Sequence, residues 1–134
     1  MHRFPSVEWT QALKTALNTD RRYRDEGKVW TFGSVAMIVR ADPKHGLADD
    51  AGIILDVHEG ECRNARYVEG VSDPVEAKFV IVGEYARWRD VIEGRLDLIR
   101  GMMEGKLRLA RGHLPTIVRF VESSRRIVSS ARRV

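Results

Sequence analysis

The fold of this chain is decided by the stretch 79–121, which reads FVIVGEYARWRDVIEGRLDLIRGMMEGKLRLARGHLPTIVRFV. It begins with an apolar strand at 79–82, continues into a helix that carries Trp88, and passes through a second, methionine-bearing helix. After Gly105, a short alternating strand at 106–109 leads to a last helix with one apolar face. No nucleophile lies beside a base here, and the apolar residues fit either the wall of an apolar cavity or an ordinary hydrophobic core.

Two helices are predicted before the first strand. Ser6 is a candidate N-cap, and apolar residues at helical spacing then predict an amphipathic helix to about Asn18. Asp20 is placed to cap a second, short helix at 21–26, which ends at Gly27. The chain therefore enters its sheet only after two helical segments.

The sequence pattern in the middle of the chain predicts four strands of a sheet. Alternating or continuous apolar residues predict strands at 34–40, 52–58, 61–69 and 77–83, with a loop at 70–74. Glu59 and Gly60 form a hairpin turn between the second and third strands. With the strand at 106–109, we predict an α+β fold in which helices cover one face of a mainly antiparallel five-stranded sheet. Because the sequence shows no internal repeat or linker, residues 1–134 are predicted to form one domain.

Composition excludes several classes of protein. Hydrophobic residues make up 43% and charged residues 31% of the 134 residues, which is typical of a soluble globular protein. No apolar run approaches the roughly 20 residues of a membrane span, and the N-terminus shows no secretory signal. The single Cys62 has no partner for an internal disulfide. These features together predict a cytoplasmic protein.

Charge is distributed unevenly along the chain. Residues 1–105 carry 15 basic and 18 acidic side chains, which is −3, whereas residues 106–134 carry 8 basic and one acidic, which is +7. An anionic partner would meet the arginines of this segment, namely Arg119, Arg125, Arg126, Arg132 and Arg133. A solvated helix face explains the same arginines equally well. No nucleic-acid partner is predicted, because the strands lack an aromatic platform and no basic recognition helix is evident.

Catalytic and metal-binding residues are sparse. Asp56 and His58 share one strand face and Cys62 follows the turn, but no second His or Cys stands at zinc-ligand spacing. His45 and His113 lack neighbours that would mark an acid or a base. No glycine-rich phosphate loop is present. We therefore predict no metal, no cofactor and no enzymatic activity, with a hydrolase using His58 or His113 as a remote alternative.

Several segments in order resemble one family over about residues 6–130. The run from Trp9 to Asn18, followed by Asp20 and Tyr23, matches its opening helices, and 54–62 matches its central hairpin. The most recognisable run of the family is matched by Trp88, by Gly94 six residues later, and by the Gly-Lys-Leu sequence at 105–107. The chain thus resembles the sterol carrier protein type-two family of lipid-transfer domains.

The resemblance implies an apolar tunnel that binds a fatty acid, a fatty acyl-CoA, a sterol-like lipid or a phospholipid without chemistry. The residues expected to line, gate or support it are Trp88, Ile92, Ile99, Met102, Met103, Leu107, Leu109, Leu114, Ile117, Val118 and Val121. The basic C-terminal segment would contact an anionic membrane transiently or hold a ligand's phosphate. The alternative is an interaction module, such as a homodimer, that uses the same apolar helix face without an open cavity.

Overall fold

The structure, a computed structural model, describes residues 2–71 and 76–134. The strands are β1 (Val35–Arg40), β2 (Ala51–His58), β3 (Glu61–Glu69), β4 (Phe79–Glu84) and β5 (Arg108–Arg111). The helices are α1 (Val7–Thr19), α2 (Arg21–Glu26), α3 (Tyr85–Ile92), α4 (Leu98–Met103), α5 (Leu114–Arg119) and α6 (Val121–Arg132). Part of the loop predicted at 70–74, from residue 72 onward, lies outside the described residues.

The five strands form one sheet in the order β3-β2-β1-β4-β5. Three of the neighbouring pairs are antiparallel, and the central pair, β1 with β4, is parallel. The prediction of a mainly antiparallel five-stranded α+β fold is confirmed, with the refinement that the sheet is mixed. The parallel pair brings Val35 beside Phe79, so two segments that are distant in sequence form the centre of the sheet.

Side-chain alternation divides the sheet into two faces. Odd-numbered residues of β1, β2 and β4, such as Ile53 and Ile81, join the large core that the helices cover. The even-numbered Ala36, Ile38 and Val80 belong to a smaller cluster on the opposite face. Within residues 2–71 and 76–134, the helices therefore cover only the first face, as the sequence predicts.

Helix α1 supplies much of that cover because its apolar residues recur at helical spacing. Trp9, Leu13 and Leu17 are buried almost completely, and each such side chain contributes about 1.5–3 kcal/mol of transfer free energy. The predicted N-caps are confirmed. Ser6 accepts a hydrogen bond from the Trp9 N–H at 3.0 Å, and Asp20 accepts from backbone N–H groups at the start of α2.

The last strand begins two residues later than predicted, at 108 and not at 106. The carbonyl of Gly101 accepts hydrogen bonds from the N–H groups of Lys106 and Leu107, at 2.8 and 3.0 Å, so these residues still belong to the turn after α4. Leu107 is buried in the core as a result.

The single C-terminal helix of the prediction is two helices, α5 and α6. They are separated by Phe120, whose backbone (φ −110°, ψ 40°) is not helical. Its ring lies among the rings of Trp30 and Phe32, at centroid distances of 5.6 and 5.2 Å. The break between α5 and α6 therefore coincides with packing of Phe120 against two rings that are distant in sequence. Helical periodicity alone does not predict this break.

Candidate functional site

An apolar cavity of about 70 Å³ lies between the helix-covered face of the sheet and the helices. Among the described residues, fifteen apolar side chains and two serines line it: Leu13, Trp30, Val35, Met37, Leu55, Val57, Ile81, Trp88, Val91, Ile92, Leu98, Ile117, Ser123, Ser124, Ile127, Val128 and Ala131. Such a lining favours an apolar ligand and offers little hydrogen bonding to anything else.

The floor of the cavity is the sheet. It consists of Val35 and Met37 from β1, Leu55 and Val57 from β2, and Ile81 from β4. These residues face the same side because strand side chains alternate and the three strands are paired in register. The floor is therefore apolar and built from three neighbouring strands.

Two tryptophans fix the walls. Trp88 of α3 donates its indole N–H to the carbonyl of Ile38 in β1 at 2.9 Å, which ties the helix to the sheet. Trp30, just before β1, donates to the carbonyl of Gly33 at 2.9 Å. Because both indole N–H groups are satisfied by backbone, the rings present only apolar surface to the cavity.

The roof is α6. Its lining side chains, Ser123, Ser124, Ile127, Val128 and Ala131, recur at helical spacing and form one stripe. The fully buried residues of α6 are small, namely Ser123, Ser130 and Ala131. The roof therefore contributes less apolar burial than the floor.

A charged contact, which we call the Asp20 clasp, holds the second half of the roof. Asp20 Oδ2 accepts hydrogen bonds from Arg126 at 2.9 Å, Ser130 at 3.0 Å and Arg133 at 3.3 Å. Its Oδ1 caps α2, and the side chain is only 6% exposed. Burial alone would raise the pKa of Asp20, but the hydrogen bonds from Arg126, the Tyr23 N–H, Ser130 and Arg133 outweigh it and hold the pKa well below its usual range.

The clasp is not fully satisfied. Arg126 Nε is buried and has no hydrogen-bond partner among the described residues. A buried donor without a partner costs about 1–3 kcal/mol. The contact that fastens α6 therefore combines a strong charged interaction with a local penalty.

The arginines predicted for an anionic partner differ in their surroundings. Arg126 and Arg133 belong to the clasp, and Arg132 donates to the carbonyl of Ile92 at 3.2 Å. Arg125 pairs with Glu122 at 3.1 Å. Arg119 lies 5.7 Å from the centroid of the neighbouring Phe120 ring. Most of this predicted group thus fastens α6 to the protein, and contact with an anionic partner stays a prediction.

The predicted lipid-binding residues also separate by position. Trp88, Ile92 and Ile117 line the cavity. Ile99 and Leu107 are buried in the core beside it, while Met102, Leu109, Leu114 and Val121 are half-buried. Met103 and Val118 are exposed, at 70% and 43%. That any of these side chains contacts a lipid stays a prediction.

Sequence reasoning missed the floor and part of the roof. Alternation in the N-terminal strands predicts a buried sheet face that includes Met37, but it does not distinguish the floor of a cavity from a filled core. That alternation, together with Trp30 shortly before β1, is the available signal. Ser123 and Ser124 carried none.

The histidines and the cysteine lie apart in the part of the chain that the structure describes. No cluster of three or more His, Cys, Asp or Glu side chains suited to a metal occurs in residues 2–71 and 76–134. Cys62 faces the core because it pairs with Val57, whereas Asp56 lies on the opposite face and binds Arg63 at 3.0 Å. Burial raises the pKa of the Cys62 thiol to about 11.

Within residues 2–71 and 76–134, no helix is long and apolar enough to cross a membrane.

Solved structures similar to this chain share its fold closely. A crystal structure of sterol carrier protein 2 is 36% identical, with a TM-score of 0.90 over 98% of this chain and 99% of that chain. The solution structure of a conserved hypothetical protein from Thermus thermophilus, whose name connects it with sterol carrier proteins, is also 36% identical, with a TM-score of 0.87 over 99% of this chain and 90% of that chain.

Apo sterol carrier protein 2 from Yarrowia lipolytica, at 15% identity and a TM-score of 0.59 over 96% of this chain and 92% of that chain, shares the fold alone. No protein-family model matches the chain, and no curated protein sequence does.

Proposed function

Because the chain belongs to the sterol carrier protein 2 family, we propose that it binds and carries a lipid in the cavity between its sheet and α6, without catalysing a reaction. The observation that supports this most directly is the cavity lining, in which the described side chains are apolar apart from two serines. Each methylene moved from water to such a site contributes ~0.8 kcal/mol, so a chain of about sixteen carbons would gain roughly 13 kcal/mol before the costs of binding.

The size of the cavity indicates that the lipid must enlarge it. Its volume of about 70 Å³ is well below the roughly 300–1,000 Å³ typical of sites for drug-sized ligands. The floor is a hydrogen-bonded sheet, so α6 is the element we expect to move outward. In this proposal the unliganded protein is nearly closed, and lipid uptake and displacement of the roof occur together.

The polar lining suggests how a lipid would be oriented. Ser123 and Ser124 lie in the first turn of α6, and the rest of the lining is apolar. We expect the polar head of a fatty acid, acyl-CoA, sterol-like lipid or phospholipid to remain near this turn, with its apolar part directed toward Leu55 and Trp88.

A pair of matched valine variants tests the proposal. Val35 is half-buried in β1 and lines the cavity, while Val82 is half-buried in β4 on the opposite sheet face. We expect Val35→Phe to fill the cavity and lower the uptake of a fluorescent fatty acid at least about tenfold, with Val82→Phe close to wild type. Circular dichroism of both variants checks that they are folded.

Native mass spectrometry of freshly purified protein identifies the ligand class. A co-purified lipid that extraction releases supports the carrier function. A clean apo mass, together with no uptake of the fluorescent fatty acid by the wild type, would contradict it. A dimeric mass in that case would favour the interaction module. The cytoplasmic location predicted from the sequence stays a prediction, which cell fractionation tests.

A further inference from the structure

A second cavity, which we call the side groove, opens between α6 and the segment 91–99, which runs from the end of α3 into α4. Its volume is about 230 Å³, and apolar side chains of both walls line it. The α6 wall also carries polar lining side chains, namely Ser124, Arg125, Ser129 and Arg132. The side groove therefore offers apolar surface and hydrogen-bond donors together.

A layer of four side chains separates the side groove from the cavity under α6. Val91, Leu98, Ser124 and Val128 line both spaces. Val91 is buried, whereas the other three are half-buried, and two of those three belong to α6. Because α6 is the element we expect to move outward on lipid uptake, its displacement from Leu98 would join the side groove to the cavity.

Arg132 is held in a fixed orientation on the wall of the side groove. Its Nε donates to the carbonyl of Ile92 at 3.2 Å. Its guanidinium packs on Gly94, where φ is 81°, so closely that a side chain at that position would collide with it. The N–H groups on its two Nη atoms have no acceptor among the described residues, so they remain available to a ligand.

The carboxylates around the side groove are engaged by other arginines. Asp97 lies 3.8 Å from Arg125, and Glu122 pairs with Arg125 at 3.1 Å. Glu93, at the end of α3, pairs with two further arginines. No carboxylate of residues 2–71 and 76–134 forms an ion pair with Arg132. Arg125 is therefore neutralised within the protein, whereas the charge of Arg132 is not.

We propose that Arg132 binds the carboxylate of a fatty acid in the side groove, while the acyl chain passes between Leu98 and Val128 into the cavity. This proposal rests on the lipid-binding function above and narrows its ligand to a lipid with a carboxylate head. The guanidinium presents a planar fork of donors that matches the two oxygens of a carboxylate. Ser124 lines both spaces, so a head in the side groove agrees with the orientation expected from the serines of the cavity.

A ratio of two dissociation constants tests the role of Arg132. Lauric acid and its methyl ester carry the same chain, and each is titrated by displacement of a fluorescent fatty acid from the folded protein. The ratio of the Kd of the ester to the Kd of the acid measures the preference for a carboxylate. We expect this ratio to fall about fivefold in Arg132→Gln, because an exposed ion pair is lost. Arg132→Lys keeps the charge and should largely restore the ratio.

Two comparisons separate head binding from a structural role. The bond from Arg132 to Ile92 also holds α6, and its loss alone would weaken the binding of acid and ester equally. An unchanged ratio in Arg132→Gln would therefore overturn the proposal. The matched control is Arg100→Gln, which removes an exposed arginine of α4 that is absent from the lining of the side groove. Its ratio should equal that of the wild type.

Protection of an introduced cysteine tests where the head lies. Ser129 lines the side groove and not the cavity, and the native Cys62 is buried with its pKa raised to about 11. Iodoacetamide should therefore modify mainly the new thiol of Ser129→Cys, and saturating lauric acid should slow that reaction several-fold. Thr15→Cys, on the exposed surface of α1, should react at the same rate with and without the acid. Equal rates at both positions in the presence of lauric acid, relative to its absence, would place the head elsewhere and overturn the proposal.

Binding of the fluorescent fatty acid to the wild type separates this proposal from the proposed function. If the fatty acid binds but the ratio does not depend on Arg132, the head site is wrong and the carrier function stands. If the fatty acid does not bind, the carrier function itself fails.

Discussion

The floor and the roof of the cavity are stabilised by different forces. The floor is a sheet whose residues Leu55, Val57 and Ile81 are buried almost completely. The roof, α6, buries mainly serine and alanine and is fastened through the charged Asp20 clasp. The stabilising free energy of hydrophobic packing falls in proportion to the apolar surface that becomes exposed. The stabilising free energy of the Asp20 clasp is lost when a few hydrogen bonds break. We therefore expect the sheet to stay intact if the roof is displaced.

The largest expected effect is in the floor. Leu55 lies in β2, between β1 and β3, and is 1% exposed. Leu55→Ala removes buried methylenes and leaves a void that the neighbouring strands cannot fill. We expect a loss of about 2–5 kcal/mol in the free energy of unfolding, measured by urea denaturation. A loss below about 1 kcal/mol would mean that the floor repacks around the void left by the smaller side chain. The difference in packing between floor and roof would then not hold.

An intermediate effect is expected at the clasp. Asp20→Asn removes the charge that Arg126 and Arg133 share, and we expect it to cost about 2 kcal/mol at neutral pH. Because the pKa of Asp20 is lowered in the folded state, its contribution is fully present above the unfolded value of 3.8 and is lost as pH falls through the lowered value. The difference in stability between wild type and variant should therefore begin to shrink below about pH 4 and continue to shrink as the pH falls further.

The control for the clasp is Asp25→Asn, on the same helix α2. Asp25 and its partner Lys28 are both exposed, so the free energy of unfolding should change by no more than about 0.5 kcal/mol. A difference between Asp20→Asn and wild type that stays constant down to acid pH would show that the charge of Asp20 does not carry the clasp.

The smallest effect is expected from one matched pair of substitutions. Ile81→Val in the floor and Ile127→Val in the roof remove the same methylene from two side chains that line the cavity. Ile81 is 2% exposed and Ile127 is half-buried, so we expect losses of about 1 kcal/mol and about 0.5 kcal/mol, respectively. Equal losses in thermal unfolding would indicate that floor and roof are packed alike.

Local sequence signals predicted much of the fold. Alternation predicted the strands, and Ser6, Asp20 and Gly27 predicted where the first helices begin and end. The cavity was less accessible, because its floor exists only after β1, β2 and β4 pair. In a six-residue helix such as α4, spacing alone does not show that Ile99 is buried while Met103 is exposed. The clasp was also hidden, since charge counts do not reveal that Arg126 reaches a carboxylate 106 residues away.

The parallel pairing of β1 with β4 has a consequence for how the protein folds. Val35 and Phe79, which begin that pairing, are 79 − 35 = 44 residues apart. Closing a flexible loop of that length costs on the order of 3 kcal/mol of chain entropy, and non-local contacts of this kind slow folding. Ile81 reaches the cavity floor only through this pairing, so the cavity cannot form before it. Under the proposed function, uptake of a lipid by a refolding chain would therefore report the closure of this long-range pairing at the centre of the sheet.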